Sequence, residues 1–169
     1  FAGCLAKPIK PAQLQELLRR VLSGAKAAAP KAPVSAKLDG TLASRLPLRV
    51  LLCDDNAINQ KVAVRLLQQM GYKPDVAANG LQALARLNTQ PYDLVFMDVM
   101  MPEMDGLEAT REIRSRQRVP GEHPNYAAQI VIVAMTASAM QGDREKCLTA
   151  GMDDYVAKPV RLEDVRGII

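Results

Sequence analysis

Three continuously apolar runs in this chain, at Val50, Leu94 and Ile130, each stop at a polar residue, and helical spacing fills the gaps between them. Such runs suit strands of a parallel sheet that is covered on both faces, whereas a sheet with one wet face would alternate apolar and polar residues. Arg49 to Cys53 runs into Asp54-Asp55-Asn56, Asp93 to Met97 runs into Asp98, and Ile130 to Met135 runs into Thr136. Two weaker pieces, Lys73 to Ala77 and Asp154 to Ala157, complete a set of five, and the last leads into Lys158-Pro159. Between them Ile58, Val62, Leu66, Leu67 and Met70 mark a helix that should stop at Gly71; Leu81, Leu84 and Leu87 mark a second. Leu107 to Arg116, Ala139 to Ala150 and the residues from Leu162 onward are the other helices. Strands alternating with helices predict a doubly wound α/β domain with a five-stranded parallel sheet, whose site lies at the carboxyl ends of the strands.

The chemistry-bearing residues fall at those ends. Asp54, Asp55 and Asp98, the Thr136 hydroxyl and the Lys158 amine should converge on one edge of the sheet. Three carboxylates so close repel one another, and a hard divalent cation relieves the repulsion. Mg²⁺ takes oxygen ligands and tolerates water and phosphate oxygens in its shell. The set is therefore suited to phosphoryl transfer, with one carboxylate attacking phosphorus while a hydroxyl and an ammonium bind the phosphoryl oxygens. Each residue taken singly has a structural alternative. Asp54 and Thr136 could cap helices, and Lys158 could be solvated. Placement at four different strand ends favours the joint reading.

Other features narrow the field. The net charge of +4 divides unevenly: residues 1–50 hold nine Lys and Arg against two acids, and the remainder thirteen against sixteen. The basic excess is spread over a segment that looks like linker, so direct nucleic-acid binding is not expected. No apolar stretch approaches the roughly 18 to 20 residues that span a bilayer, and no signal peptide is legible, so no membrane contact is expected of these residues. Cys4, Cys53 and Cys147 are odd in number and far apart, which fits a reducing cytoplasm and excludes a disulfide framework. His123 sits in a Pro- and Gly-rich loop, Gln117 to Gln129, that is longer than a usual connection.

The quoted motifs resemble the receiver domain of two-component signalling proteins, over about Leu48 to Ile169. They are the acidic pair in Leu51-Leu52-Cys53-Asp54-Asp55-Asn56, the stretch from Val95 through Asp98 and Pro102 to Gly106, Ala134-Met135-Thr136-Ala137, and Gly151 through Tyr155 to Lys158-Pro159. The resemblance implies a flavodoxin-like strand order 2-1-3-4-5. It implies that Asp98 accepts a phosphoryl group from a phosphohistidine, and that Thr136 and Lys158 contact the phosphoryl oxygens. It also implies that Asp54, Asp55, Asp98 and the Met100 backbone carbonyl hold Mg²⁺ or Mn²⁺. Tyr155 becomes the aromatic switch residue that follows Thr136, Ile58 and Val62 become contacts for a phosphodonor helix, and Met100 and Ser138 flank the route of attacking water. A cis peptide is expected at Lys158-Pro159. The implied partners are a histidine kinase donor, in the same polypeptide or another, and a histidine phosphotransfer protein. The implied location is the cytoplasm, with membrane anchoring of the parent protein left open.

Residues 1–22 carry a second resemblance. Leu5-Ala6-Lys7-Pro8-Ile9 parallels Val156-Ala157-Lys158-Pro159-Val160, and an amphipathic helix, Pro11 to Leu22, follows it. This is similar to the tail of a preceding receiver-like domain, with Cys4 where Tyr155 stands; residues 23–47 then form an Ala-, Pro- and Lys-rich linker and 48–169 a receiver whose last helix is short. The expected parent is a hybrid sensor histidine kinase. Alternatives are a multi-receiver response regulator with its output domain elsewhere, and a vestigial receiver used for protein interaction. An aspartyl-phosphate phosphatase would resemble Asp-x-Asp-x-Thr at the nucleophile, and Met100 occupies the third place here. Whether the chain counts as an enzyme is left open between self-catalysed phosphotransfer with autodephosphorylation and a kinase parent.

Overall fold

The computed structural model describes residues 42–119, 121–126, 129–137 and 141–169. The expected receiver-like remnant at 1–22, most of the linker, Cys4 and Ser138 lie outside the described residues. Five strands, β1 (Val50–Cys53), β2 (Asp75–Ala77), β3 (Leu94–Asp98), β4 (Val131–Thr136) and β5 (Asp154–Ala157), form one parallel sheet of order β2-β1-β3-β4-β5. Helices α1 (Leu42–Arg45), α2 (Ala57–Gln69), α3 (Gly80–Thr89), α4 (Gly106–Gln117), α5 (Gln141–Ala150) and α6 (Leu162–Ile168) surround it. The doubly wound architecture and the strand order are those expected.

Every residue of β1 and β3 is buried. Their side chains alternate between two apolar layers, as the period of two in a strand requires. Leu51, Cys53, Val95, Met97, Ile132 and Ala134 face one layer with Leu84 and Leu87 of α3 and Ile113 of α4. Val50, Leu52, Leu94, Phe96, Val133 and Met135 face the other, with Leu67 of α2 and Val165 of α6. Register is therefore tightly specified, because a slip of one residue would exchange the two layers.

Gly71 ends α2 with φ +91, the left-handed conformation that a side chain disfavours. Its N–H donates to the Gln68 carbonyl and that of Tyr72 to the Leu67 carbonyl, both at 3.0 Å, the paired bonds of a Schellman cap. Gly151, φ +102, ends α5 in the same way.

The strands differ from expectation at their starts. Lys73 and Pro74 precede β2, since Pro74 has no N–H for the ladder. Ile130 precedes β4, and its carbonyl accepts instead from Arg114 Nη1 at 2.8 Å. Arg114 also donates to the Gly151 carbonyl at 2.8 Å and to Asp153 Oδ2 at 2.6 Å, so one side chain ties α4 to the starts of β4 and β5. The long connection after α4 is likewise anchored. Tyr126, buried at the end of a short 3-10 turn (Pro124–Tyr126), places its hydroxyl 3.1 Å from Asn88 Oδ1 and 3.2 Å from the Leu84 carbonyl, and Arg116 lies over its ring. His123 packs edge-on against that ring.

Upstream of β1, the end of the expected linker is structured: Ala43 N–H donates to the Met70 carbonyl at 3.1 Å and Tyr72 Oη to the Leu46 carbonyl at 2.8 Å. The last helix, α6, has 7 residues. No helix among the described residues is long and apolar enough to cross a membrane.

Cys53 and Cys147 are buried free thiols. Burial, reinforced by the neighbouring Asp54 charge, pushes the Cys53 thiol far above its ordinary range. Cys53 should therefore resist iodoacetamide at pH 8.5 in the native protein and react once it is unfolded; native-state labelling located at Cys53 by peptide mass spectrometry would contradict this. Arg114→Met should cost about 2 kcal/mol in denaturant unfolding, chiefly by stranding the Ile130 and Gly151 carbonyls, and a loss below about 0.5 kcal/mol would show that water replaces the guanidinium.

Candidate functional site

The carboxyl ends of β1, β3, β4 and β5 bring the predicted residues together. Asp54 follows β1, Asp98 closes β3, Thr136 closes β4 and Lys158 follows β5. β1 and β3 are neighbours whose connections leave in opposite directions, so their ends form the crevice of the doubly wound sheet. Carboxylate oxygens of Asp54, Asp55 and Asp98 lie within 4.8 Å of one another. Asp54 and Asp98 are buried, whereas Asp55 faces solvent. The Lys158 ammonium stands between the two buried acids, 2.7 Å from Asp54 Oδ2 and 2.5 Å from Asp98 Oδ2.

Backbone contacts set this geometry. Lys158 N–H donates to the Thr136 carbonyl at 2.7 Å, and the Lys158-Pro159 peptide is cis, as expected. Met100 N–H donates to Asp98 Oδ1 at 3.3 Å. Gly106 N–H donates to the Val99 carbonyl at 3.1 Å, and a Cβ on Gly106 would stand 2.0 Å from the Asp98 carbonyl oxygen. That collision explains why the turn after Asp98 needs glycine. Asp105 then caps α4 in a reciprocal capping box with Glu108.

At the start of α2 the structure corrects one alternative. The cap is Asn56, whose side chain accepts from the N–H groups of Ile58 and Asn59, and Asp54 is not needed for it. Asp54 Oδ1 instead accepts from Asn56 N–H at 2.9 Å and Asn59 Nδ2 at 3.2 Å, and its backbone carbonyl accepts from Gln60 Nε2 at 2.6 Å. Asn59 and Gln60 were not among the predicted site residues. Their signal in the sequence is a pair of amides on the first helical turn after an acidic pair, a spacing that acquires meaning only when the helix turns back over the strand end.

The remaining predicted residues are arranged around this centre. Thr136 is buried and, like Tyr155, stands on the face of the sheet to which Ala134 belongs. Tyr155 packs partly buried against that face with the Arg144 guanidinium 5.5 Å over its ring, outside the carboxylate cluster. Ile58 and Val62 are exposed, at 72% and 47%, one turn apart on α2, so they are not core. Met100 is exposed at 77%, while Met97 and Met101 are buried and Met104 packs against the core.

Burial raises the Asp98 pKa above the ordinary aspartate value. Hydrogen bonding and charge from Lys158 oppose that rise, and the Asp54 charge adds to it. Burial works against the charge on Lys158, but the carboxylates of Asp54 and Asp98 outweigh it and raise that pKa. Asp54 Oδ2 is buried, and the Lys158 ammonium 2.7 Å away is the partner it faces. One ammonium thus faces three carboxylates, one of which has a buried oxygen with lone-pair capacity to spare. This donor set, all hard oxygens, fits a divalent cation of the Mg²⁺ class.

The family model of the response regulator receiver domain matches residues 50–169. The chain belongs to this family. It is 40% identical over 120 residues to hybrid signal transduction histidine kinase B of Dictyostelium discoideum, covering 69% of this chain but only 6% of that protein. It is similar to the solved receiver domain of sensor histidine kinase PA1611 from Pseudomonas aeruginosa PAO1, which has a magnesium ion coordinated in its active site cleft (41% identity, TM-score 0.62, covering 72% of this chain and 93% of that one). It is also similar to a chain in the co-crystal structure of the Saccharomyces cerevisiae histidine phosphotransfer protein Ypd1 with the receiver domain of its response regulator Ssk1 (34% identity, TM-score 0.66, covering 72% and 86%).

Because its pKa is raised on folding, the Asp98 carboxyl favours the folded state most at pH below its unfolded value, and that contribution is lost as pH rises through the folded value. In the metal-free protein the Asp98 side-chain carboxyl ¹³C signal should titrate above the ordinary aspartate range, and adding Mg²⁺ should lower its midpoint. A midpoint already at or below that range without metal would contradict the burial argument.

Proposed function

We propose that this receiver module takes a phosphoryl group from a phosphohistidine onto Asp98 in a Mg²⁺-dependent reaction, and passes it on or changes conformation in response. The observation that carries the reading is the convergence of Asp54, Asp55 and Asp98 on one edge with Lys158 between the two buried acids. In the reaction a carboxylate oxygen of Asp98 forms the new P–O bond as the P–N bond to the donor histidine breaks. Asp54, Asp55 and Asp98, with the Met100 carbonyl, would hold the cation, which when bound would offset the charge of the transferring phosphoryl group. The Lys158 ammonium, already at Asp98 Oδ2, would follow a phosphoryl oxygen attached there, and the Thr136 hydroxyl would bind another. Drawing Thr136 toward that group would open space on the sheet face it shares with Tyr155, which gives the aromatic switch a physical route.

The parent is proposed to be a hybrid sensor histidine kinase, supported by the Dictyostelium relative, with residues 1–22 as the tail of a preceding receiver-like domain and the residues from 23 up to α1 as linker. Partners are proposed to be a histidine kinase donor and a histidine phosphotransfer protein that docks on Ile58 and Val62. Exposed apolar side chains on the helix beside the site support that surface, and the Ypd1–Ssk1 complex supplies a precedent. Buried free thiols suit a cytoplasmic setting.

Incubation with acetyl phosphate should give a single phosphoryl adduct by intact-protein mass spectrometry that needs both Mg²⁺ and Asp98. An adduct that survives in Asp98→Asn, or that forms equally with Mg²⁺ chelated, would sink the assignment. Ile58→Glu should lower the rate of phosphotransfer with a histidine phosphotransfer protein by about tenfold or more, as losing a buried apolar anchor does, while leaving loading from acetyl phosphate unchanged. Equal loss in both assays would place Ile58 in the chemistry and not the docking.

A further inference from the structure

We infer that Asn59 is a positioning residue for the divalent cation: its side-chain amide fixes the Asp54 carboxylate so that one oxygen stays aimed into the site. The inference rests on the Mg²⁺ reading above. The two oxygens of Asp54 are used differently. Oδ1 accepts from Asn56 N–H at 2.9 Å and from Asn59 Nδ2 at 3.2 Å, whereas Oδ2 points into the site, where it faces the Lys158 ammonium at 2.7 Å. Rotation about Cβ–Cγ would exchange them, and two donors on Oδ1 oppose that rotation. Gln60, the next residue, donates Nε2 to the Asp54 carbonyl at 2.6 Å, so neighbouring amides on one helical turn hold the side chain and the main chain of the same aspartate.

The residue type matters. A neutral amide restrains the carboxylate without importing a positive charge that would compete with the cation, and without adding a further carboxylate to the cluster. Outer-shell donors of this kind orient metal ligands and commonly change metal affinity by about 10- to 100-fold when lost. A purely structural role is separable. Capping of α2 is already supplied by Asn56, Asn59 is exposed as a residue, and alanine is a better helix former than asparagine. Removing the amide should therefore spare the fold and act on the metal.

The test is isothermal titration calorimetry of MgCl₂ into the full chain and its Asn59→Ala variant, without phosphodonor, alongside thermal melts in chelator. A Kd raised roughly tenfold with the metal-free melting temperature kept to within about 2 °C supports the assignment. A Kd within about twofold of the wild type overturns it, as does a weakening matched by a large fall in melting temperature, which would mark Asn59 as structural. Asn59→Ser, whose hydroxyl falls short of the carboxylate, should reproduce the alanine result and serves if alanine folds poorly. Failure of the wild type itself to bind Mg²⁺ would overturn the metal reading as well, so the two failures are distinguishable.

Discussion

The Lys158 ammonium, 2.7 Å from Asp54 and 2.5 Å from Asp98, holds together the ends of three strands that are far apart in the chain. Both carboxylates are buried, and burying a charge is costly unless a partner and hydrogen bonds compensate it. The fold must therefore deliver the ammonium to the acids with little freedom in its position. It does so because the strands that end at the two acids are packed on both faces. β1 and β3 are wholly buried, and their registers run without a break to Cys53↔Met97 and Asp98↔Met135. Lys158 is then tied to β4 through the Thr136 carbonyl. The apolar layers supply rigidity, and the strand ends turn that rigidity into a fixed arrangement of charge.

The loops around the cluster are held by local devices. Asn56 caps α2 two residues after Asp54, and Asp105 caps α4 seven residues after Asp98. Gly106 permits the chain to pass against the Asp98 carbonyl. Glu103, the one described residue other than glycine with positive φ, has its carboxylate held by Asn79 Nδ2 at 2.8 Å, which joins the loop after β3 to the loop after β2. Each contact is modest, but together they leave the acidic loops little room to relax away from one another. That matters at a site where like charges would otherwise drive the loops apart.

Much of this was legible beforehand. The continuously apolar runs at Val50, Leu94 and Ile130 identified a covered parallel sheet, and the rule that sites lie at strand carboxyl ends assembled Asp54, Asp98, Thr136 and Lys158. The contacts that were not legible are those between elements. Arg114 gave no sign that its guanidinium would take the Ile130 and Gly151 carbonyls, because a helical arginine usually remains in water. Tyr126 was one residue in a long polar connection, and its burial against Leu84 and Asn88 depends on how α3 and α4 lie side by side. The Leu42–Arg45 helix sat in a stretch whose Ala, Pro and Lys content suggested linker, yet Leu42, Ala43 and Leu48 find an apolar layer to cover.

The sequence by itself determined the class of fold and the inventory of the site, because periodicity and strand length are local properties and each chemical residue lies at the end of its own apolar run. Tertiary structure alone decided how those residues are deployed. It decided which oxygen of Asp54 faces inward, that Lys158 bridges the two buried acids, that Asp55 stays in solvent, and that Ile58 and Val62 face outward and not into the core. The physical reason is that orientation, burial and the sharing of hydrogen bonds arise from elements distant in sequence meeting in space.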